Sequence, residues 1–252
     1  MNNYELFFFD LDGTITESKS NVDNEMANII SQLLKHKKVV IISGARFSQF
    51  KEQFIDFLPN GTNLENLYIA PLTGGSFYSF KDDDWVKVYE DALSPEERLK
   101  ITSILKRAIK DNDFLTPEKI YGDQIEDRGG QITFSALGQK SPVEEKKLWD
   151  PSIEKRKTLK KILDKDLSEF EVSVGGSTSV DIRKKGIDKA YGINKIASLL
   201  SIPKEKIIFF GDAIFEGGND YSATTTGVHI QKVSGPKETK AFLNSYLKEI
   251  NS

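Results

Sequence analysis

Short, unbroken apolar runs that stop abruptly at small or acidic residues constrain this chain more than any other feature of its sequence. Leu6–Phe9 runs into Asp10, Val39–Ile42 into Ser43-Gly44, and Ile207–Phe210 into Gly211-Asp212, with Leu67–Ala70 as a fourth run. A strand with one face in water alternates apolar and polar residues. An unbroken run therefore belongs to a strand covered on both faces, the setting of a central strand in a parallel sheet. Helical periods lie between the runs. Met26, Ile29, Ile30, Leu33 and Leu34 share one helix face, Phe47, Phe50, Phe54 and Leu58 another, and Ile193, Ile196, Ala197 and Leu200 a third. Gly227–Ile230 reads as one more short strand, and Phe242 to Ile250 as a closing helix. Strands and helices in alternation predict a doubly wound α/β sheet built from both ends of the chain.

The middle of the chain follows another rhythm. Gly74-Gly75 and the acidic run Lys81–Asp84 mark turns near a boundary. Ser94-Pro95-Glu96-Glu97 combines a capping serine, a proline at the first helical position and a glutamate three residues after the cap, so it predicts a helix start. Asp150-Pro151 opens a second helix, with Leu159, Ile162 and Leu163 facing inward. Ile132–Leu137, Phe170–Val174 and Val180–Ile182 alternate apolar and polar, which predicts an open antiparallel sheet with helices on one face. The chain thus reads as a parallel-sheet core over 1–82 and 186–252, with an α+β cap inserted over 83–185. The lysine-rich stretch Lys155–Lys165 reads as the wet face of a helix.

Composition narrows the chemistry. The 252 residues are 38% apolar and 29% charged, as in a globular protein. A net charge of -3 gives no general pull toward nucleic acid or an anionic membrane. Cysteine is absent, which excludes disulfides, thiolate metal sites and a cysteine nucleophile. His36 and His229 are the two histidines, too few for a multi-histidine metal site. No apolar run reaches the ~20 residues that a spanning helix needs, and the N-terminal residues lack the basic and small-residue features of a signal peptide. Cytoplasmic residence is the expectation.

Open parallel sheets place their sites beyond the carboxyl ends of the strands. Three such ends here carry Asp10-Leu-Asp12-Gly-Thr14, Ser43-Gly44 and Gly211-Asp212. Asp10, Asp12 and Asp212 are expected to crowd together there, repelling one another until a cation relieves them. Oxygen-only donors favour a hard ion, and Mg²⁺ is the natural choice. In extended chain the i, i+2 pair Asp10 and Asp12 point the same way, so one carboxylate can attack phosphorus while the other handles a proton. Gly13 lets amide N–H groups approach a phosphate. Ser43 and Thr14 can donate hydroxyl hydrogen bonds to it, and Lys189, opening the helix after the insertion, can neutralise its charge. Taken singly, Ser43 and Asp212 also fit helix caps, Lys189 a surface lysine, and Asp10-x-Asp12 a glycosyltransferase metal motif. The combination points to metal-assisted phosphoryl transfer.

These segments resemble the haloacid dehalogenase superfamily. Asp10-x-Asp12-Gly13-Thr14, Ser43, Lys189, and Gly211-Asp212 with Gly217-Gly-Asn-Asp220 are similar to its four motifs in order, and the insertion is similar to its type II (C2) caps. The resemblance implies that Asp10 is the nucleophile and Asp12 the general acid/base. It implies that Asp10, the Asp12 carbonyl and Asp212 hold Mg²⁺, with Asp220 supporting the metal or Lys189. Phe209–Asp212, Gly217–Asp220 and Ser173–Ile182 leading to Gly186–Lys189 are similar to the eukaryotic type of phosphomannomutase and to related type IIB sugar phosphatases. Caps of that type bind the far phosphate of a hexose bisphosphate with arginines and the sugar with a serine and an aspartate. Arg128 matches one arginine, and Ser179 and Asp181 match the sugar-binding pair. Related mutases pair through their caps, so a homodimer belongs to the same expectation.

The chain departs from that pattern. Tyr121 and Gln139 stand where two cap arginines are expected, and Lys19 where the core has one. Two bidentate phosphate clamps are thereby lost, although Arg183, on the face of Ser179 and Asp181 by period two, can stand in for one. Weaker retention of a bisphosphate exposes an aspartyl-phosphate to water. The expectation is a phosphomonoester hydrolase acting on a small phosphorylated substrate, a sugar phosphate. A phosphohexomutase is the alternative, and a non-catalytic phosphosugar-binding protein the second. Thr14, Gly44, Lys19, Arg128, Ser179 and Asp181 are the expected substrate contacts.

Overall fold

A computed structural model describes residues 4–17, 20–175 and 177–250. The chain forms two compact units, Met1–Glu90 with Ile187–Ser252, and Asp91–Gly186. The first begins with β1 (Leu6–Phe9), α1 (Asn24–Leu33), β2 (Lys38–Ile42), α2 (Phe47–Gln53) and β3 (Leu67–Ala70), and continues through β4 (Ser76–Lys81) and β5 (Asp84–Glu90). Asp23 caps α1 by accepting from the Met26 amide at 2.8 Å. β4 and β5 form an antiparallel hairpin on the edge of the same sheet. Asp82 and Asp83 both take left-handed backbone (φ 50° and 61°), the two-residue turn whose twist matches a tight hairpin. The acidic run is therefore a hairpin tip, and the first unit continues past the expected boundary at 82 to Glu90.

The second unit holds α3 (Pro95–Lys110), β6 (Ile125–Asp127), β7 (Gln131–Ser135), α4 (Val143–Trp149), α5 (Glu154–Asp166), β8 (Phe170–Val174) and β9 (Ser179–Lys184). At the start of α3 the Ser94 hydroxyl accepts from the Glu97 amide at 3.1 Å, and the Glu97 carboxylate accepts from the Ser94 amide at 2.6 Å, closing the expected capping box. The four strands are antiparallel in the order β6-β7-β9-β8. Ile132, Phe134, Val172, Val180 and Ile182 pack on one face of this sheet with Ile101, Leu105, Leu159 and Leu163 of α3 and α5. The opposite face is polar.

The chain then returns to the first unit with α6 (Lys189–Leu199), β10 (Ile207–Gly211), β11 (His229–Lys232) and α7 (Pro236–Ile250). The seven-stranded order is β11-β10-β1-β2-β3-β4-β5, with the first five strands parallel. Phe7, Phe9, Val39, Ile41, Ile208 and Phe210 fill one side of this sheet against α1 and α7. Leu6, Phe8, Val40, Ile42, Ile207 and Phe209 fill the other against α6. Strict alternation thus splits each unbroken apolar run between two cores, which is why the runs show no polar period. No helix among the described residues is long and apolar enough to cross a membrane.

Candidate active site

Register fixes where the acidic residues emerge. Phe9 pairs with Phe210 on one side and Ile41 on the other, so Asp10 leaves the sheet level with Gly211 and Ile42. The Asp10 amide donates to the Phe210 carbonyl at 2.9 Å, and Asp10 is 2% exposed. Asp212 follows β10, and Asp220 returns from the next loop to lie fully buried. Asp10, Asp212 and Asp220 each place a carboxylate oxygen within 4.8 Å of the others. The third carboxylate of this cluster is thus Asp220 rather than the expected Asp12. Asp12 lies past the strand end, half-buried, in a small loop bridged to Thr16 and closed by a bond from the Gly13 amide to the Thr16 carbonyl at 2.8 Å. Gly211 makes the approach of Asp220 possible, since a Cβ there would lie 2.5 Å from Asp220 Oδ2.

Lys189 begins α6, where Asp188 caps the helix by accepting from the Tyr191 amide at 2.8 Å. A cation in a first helical turn opposes the helix dipole. Lys189 is nevertheless fully buried, because its Nζ donates to Asp10 Oδ1 and to Asp220 Oδ1. Asp220 Oδ2 accepts from the Ala213 amide at 3.0 Å, so this carboxylate ties the lysine to the loop after β10. Burial pushes the Asp10 carboxyl up, Lys189 pulls it down, and Asp220 and Asp212 push it up again, leaving it at about 7. Asp212 is also raised, by burial and then by the charge of Asp220. Burial works against the charge on Lys189, but Asp10 and Asp220 outweigh it and raise the lysine.

The donor set suits a hard divalent cation. It is all carboxylate oxygen, and one buried ammonium does not balance three acids. The backbone makes room for it as well. Gly13 (φ 81°) lies against Asp212, and a Cβ on Gly13 would come within 2.5 Å of Asp212 Oδ2. Thr14 Oγ1 is buried with no hydrogen-bond partner among the described residues, while the Thr14 carbonyl accepts from the Thr239 hydroxyl at 2.7 Å. The Ser43 hydroxyl accepts from the Ala45 amide at 3.3 Å and is nearly buried at the end of β2. Gly44 follows it, half-buried.

In the second unit, one row of paired residues crosses the polar face of the sheet. Glu126 pairs with Thr133, Thr133 with Asp181, and Asp181 with Ser173. The Thr133 hydroxyl donates to Asp181 Oδ1 at 2.7 Å and accepts from Gln131 Nε2 at 3.0 Å. Burial raises the Asp181 carboxyl, opposed by the Thr133 hydroxyl and the charges of Arg128 and Arg183. Arg128 donates from Nε and Nη2 to Glu126 Oε2, at 3.0 and 2.8 Å. Arg183 donates to the Ser173 hydroxyl at 2.8 Å, and Ser179 opens β9 half-buried. Lys19 lies outside the described residues. Gln131 and Thr133 escape a reading for chemistry-bearing residues, although the alternation Gln131-Thr133-Ser135 against Ile132-Phe134 already places them on one polar face. Arg156 corrects the reading of Lys155–Lys165 as wet, because its guanidinium is buried.

A family model described as haloacid dehalogenase-like hydrolase matches residues 7–222. The chain is 29% identical over 253 residues to a phosphomannomutase of Encephalitozoon cuniculi, covering 97% of this chain and 94% of the relative. It is 30% identical over 242 residues to a phosphomannomutase of Spinacia oleracea, covering 92% and 91%. Among solved structures, the IMP-nucleotidase of Plasmodium falciparum superposes with a TM-score of 0.71 at 21% identity, covering 99% of this chain and 69% of that one, a likeness of fold.

Proposed function

This chain belongs to the haloacid dehalogenase-like hydrolase family, and on that premise we propose that it is a magnesium-dependent phosphomonoester hydrolase acting on a sugar phosphate through an aspartyl-phosphate. The observation that carries the reading is the buried lysine held between Asp10 and Asp220 beside Asp212. An Asp10 carboxylate oxygen attacks phosphorus, the ester P–O bond breaks, and Asp12 gives its proton to the departing sugar oxygen. Asp12 then takes a proton from a water whose oxygen attacks the same phosphorus, freeing inorganic phosphate and the Asp10 carboxylate. Lys189 offsets negative charge on Asp10 and the phosphate, and Asp220 keeps the lysine in place. The Thr14 and Ser43 hydroxyls and the Gly44 amide hold phosphate oxygens. Asp10, Asp212 and the Asp12 carbonyl would hold Mg²⁺, which supplies Lewis-acid polarisation of the phosphoryl group when bound. Arg128, Ser179, Asp181 and Lys19 are the proposed substrate contacts.

Hydrolysis is supported over transfer by two loop residues of the second unit. A mutase holds a phosphate at each end of its sugar. Here the position of Tyr121 offers a phenol that donates to Glu145, and Gln139 offers a neutral amide. The relatives favour the second reading, a phosphomannomutase. Assaying a panel of sugar phosphates with Mg²⁺, with and without a hexose bisphosphate, separates them. Phosphate release from a hexose phosphate is the expected result. Bisphosphate-stimulated interconversion of mannose 1-phosphate and mannose 6-phosphate, without net phosphate release, would replace the hydrolase with the mutase. Saturable binding with no turnover would remove both.

A further inference from the structure

Asp150 and Arg156 form an ion pair in the second unit and are 3% and 6% exposed. Arg156 Nε donates to Asp150 Oδ2 at 2.9 Å, and Nη2 donates to the Asp150 carbonyl at the same distance. The amides of Lys155 and Arg156 donate to the two Asp150 oxygens at 3.1 Å each, so Asp150 caps α5 across the left-handed turn at Ile153. Capping a helix needs only the carboxylate, and a buried ion pair is a poor source of net stability. The guanidinium has a further reach. Nη1 donates at 3.3 Å to the carbonyl of Gly175, at the end of β8. The Gly175 amide in turn donates to the Ser179 carbonyl at 2.9 Å, closing the connection to β9. Gly175 lies directly against Asp181, since a Cβ there would come within 2.8 Å of Asp181 Oδ2. The other Asp181 oxygen is held by Thr133.

We propose that Arg156 is a positioning residue: through the Gly175 carbonyl it holds Gly175 against Asp181 and fixes the direction in which that carboxylate accepts a sugar hydroxyl. The proposal rests on the reading of Asp181 as a substrate contact. Arg156 reaches Gly175 from a helix packed on the apolar face of the sheet, so the polar face takes its geometry from a residue on the opposite layer.

Arg156→Lys tests this, because an ammonium still neutralises Asp150 but cannot span to Gly175 as well. Its KM for the best sugar phosphate should rise about tenfold with kcat held within about twofold. For p-nitrophenyl phosphate, which offers Asp181 no hydroxyl, kcat and KM should stay within about twofold of wild type. Amide exchange at Gly175, followed by NMR, should accelerate about tenfold while the Leu105 amide in α3 is unchanged. Gly175→Ala, which crowds Asp181 with Arg156 intact, should give the same KM rise and carries the test if Arg156→Lys does not fold. Equal losses on both substrates, or unchanged exchange at Gly175, would overturn the proposal. So would faster exchange with no KM change in either variant. A wild-type enzyme inert toward every sugar phosphate would sink the substrate reading instead, and the Gly175 amide alone would then decide the relay: faster exchange supports it and unchanged exchange ends it.

Discussion

A buried hydroxyl with nothing to bond carries a cost that a methyl group does not, and among the described residues Thr14 Oγ1 is in that position. Thr14→Val should therefore keep stability within about 1 kcal/mol of wild type by urea denaturation, or raise it. If the hydroxyl's partner is the phosphate, as proposed, the same change should lower kcat/KM about tenfold. A drop in stability with unchanged kinetics would make the hydroxyl structural. Asp10 supports a second prediction. With its carboxyl near 7, a proton and the proposed divalent cation would compete for it. Above that pH Asp10 is charged among Asp212 and Asp220, and the cation relieves the most repulsion; below it, the proton has already done so. The apparent Mg²⁺ affinity, read by calorimetry, should weaken about tenfold per pH unit below 7. An affinity independent of pH would remove Asp10 from the cation's donors. Asp10, Asp212 and Lys189 are legible in the sequence because strand ends and motif order single them out. Arg156 is not, because periodicity cannot distinguish one inward guanidinium within a run of basic residues.

Helix α6 delivers Lys189, and its seat depends on two glycines. A Cβ on Gly192 would meet the Gly74 Cα at 2.9 Å and Ile42 Cδ1 at 2.8 Å, so helix backbone and loop backbone touch. Gly192→Ala gains up to about 1 kcal/mol of helix propensity. It also forces apart backbone that cannot rotate away, at about 1–3 kcal/mol, so the clash should win. Thermal unfolding should show net destabilisation, and kcat should fall about tenfold as the lysine shifts. A variant more stable than wild type would mean the helix tolerates the displacement. The five parallel strands are legible because each is an unbroken apolar run or stands beside one. The β4–β5 hairpin reads as a boundary because its acidic turn carries no glycine to announce left-handed backbone. Helix α4 has no apolar stripe to betray it, and its Leu148 is largely exposed.

The molecule carries separate apolar interiors in its two units, and the inserted one closes on itself. Leu93, near its start, is buried and its amide donates to the Gly129 carbonyl at 3.0 Å. Residues 91–186 expressed alone should unfold in one cooperative thermal transition with a mixed α/β circular dichroism spectrum; a non-cooperative melt would show that this core needs the rest of the chain. The division into a core and an insertion is legible in the change from unbroken runs to alternating ones. The exact crossing points are not, since nothing in residues 83–90 separates an edge strand from a linker. The first unit has the opposite property. Its interior strand β1 sits between β2 and β10, and β10 is made only after the whole insertion. On the ribosome, then, Phe7, Phe8 and Phe9 must wait with one flank of backbone unsatisfied until residue 211 has emerged. This is a long-delayed pairing that slows folding and invites capture by other nascent chains. A message truncated anywhere before that point would leave β1 without β10 and the cluster without Asp212 and Asp220, so a folded insertion could remain but no partial enzyme.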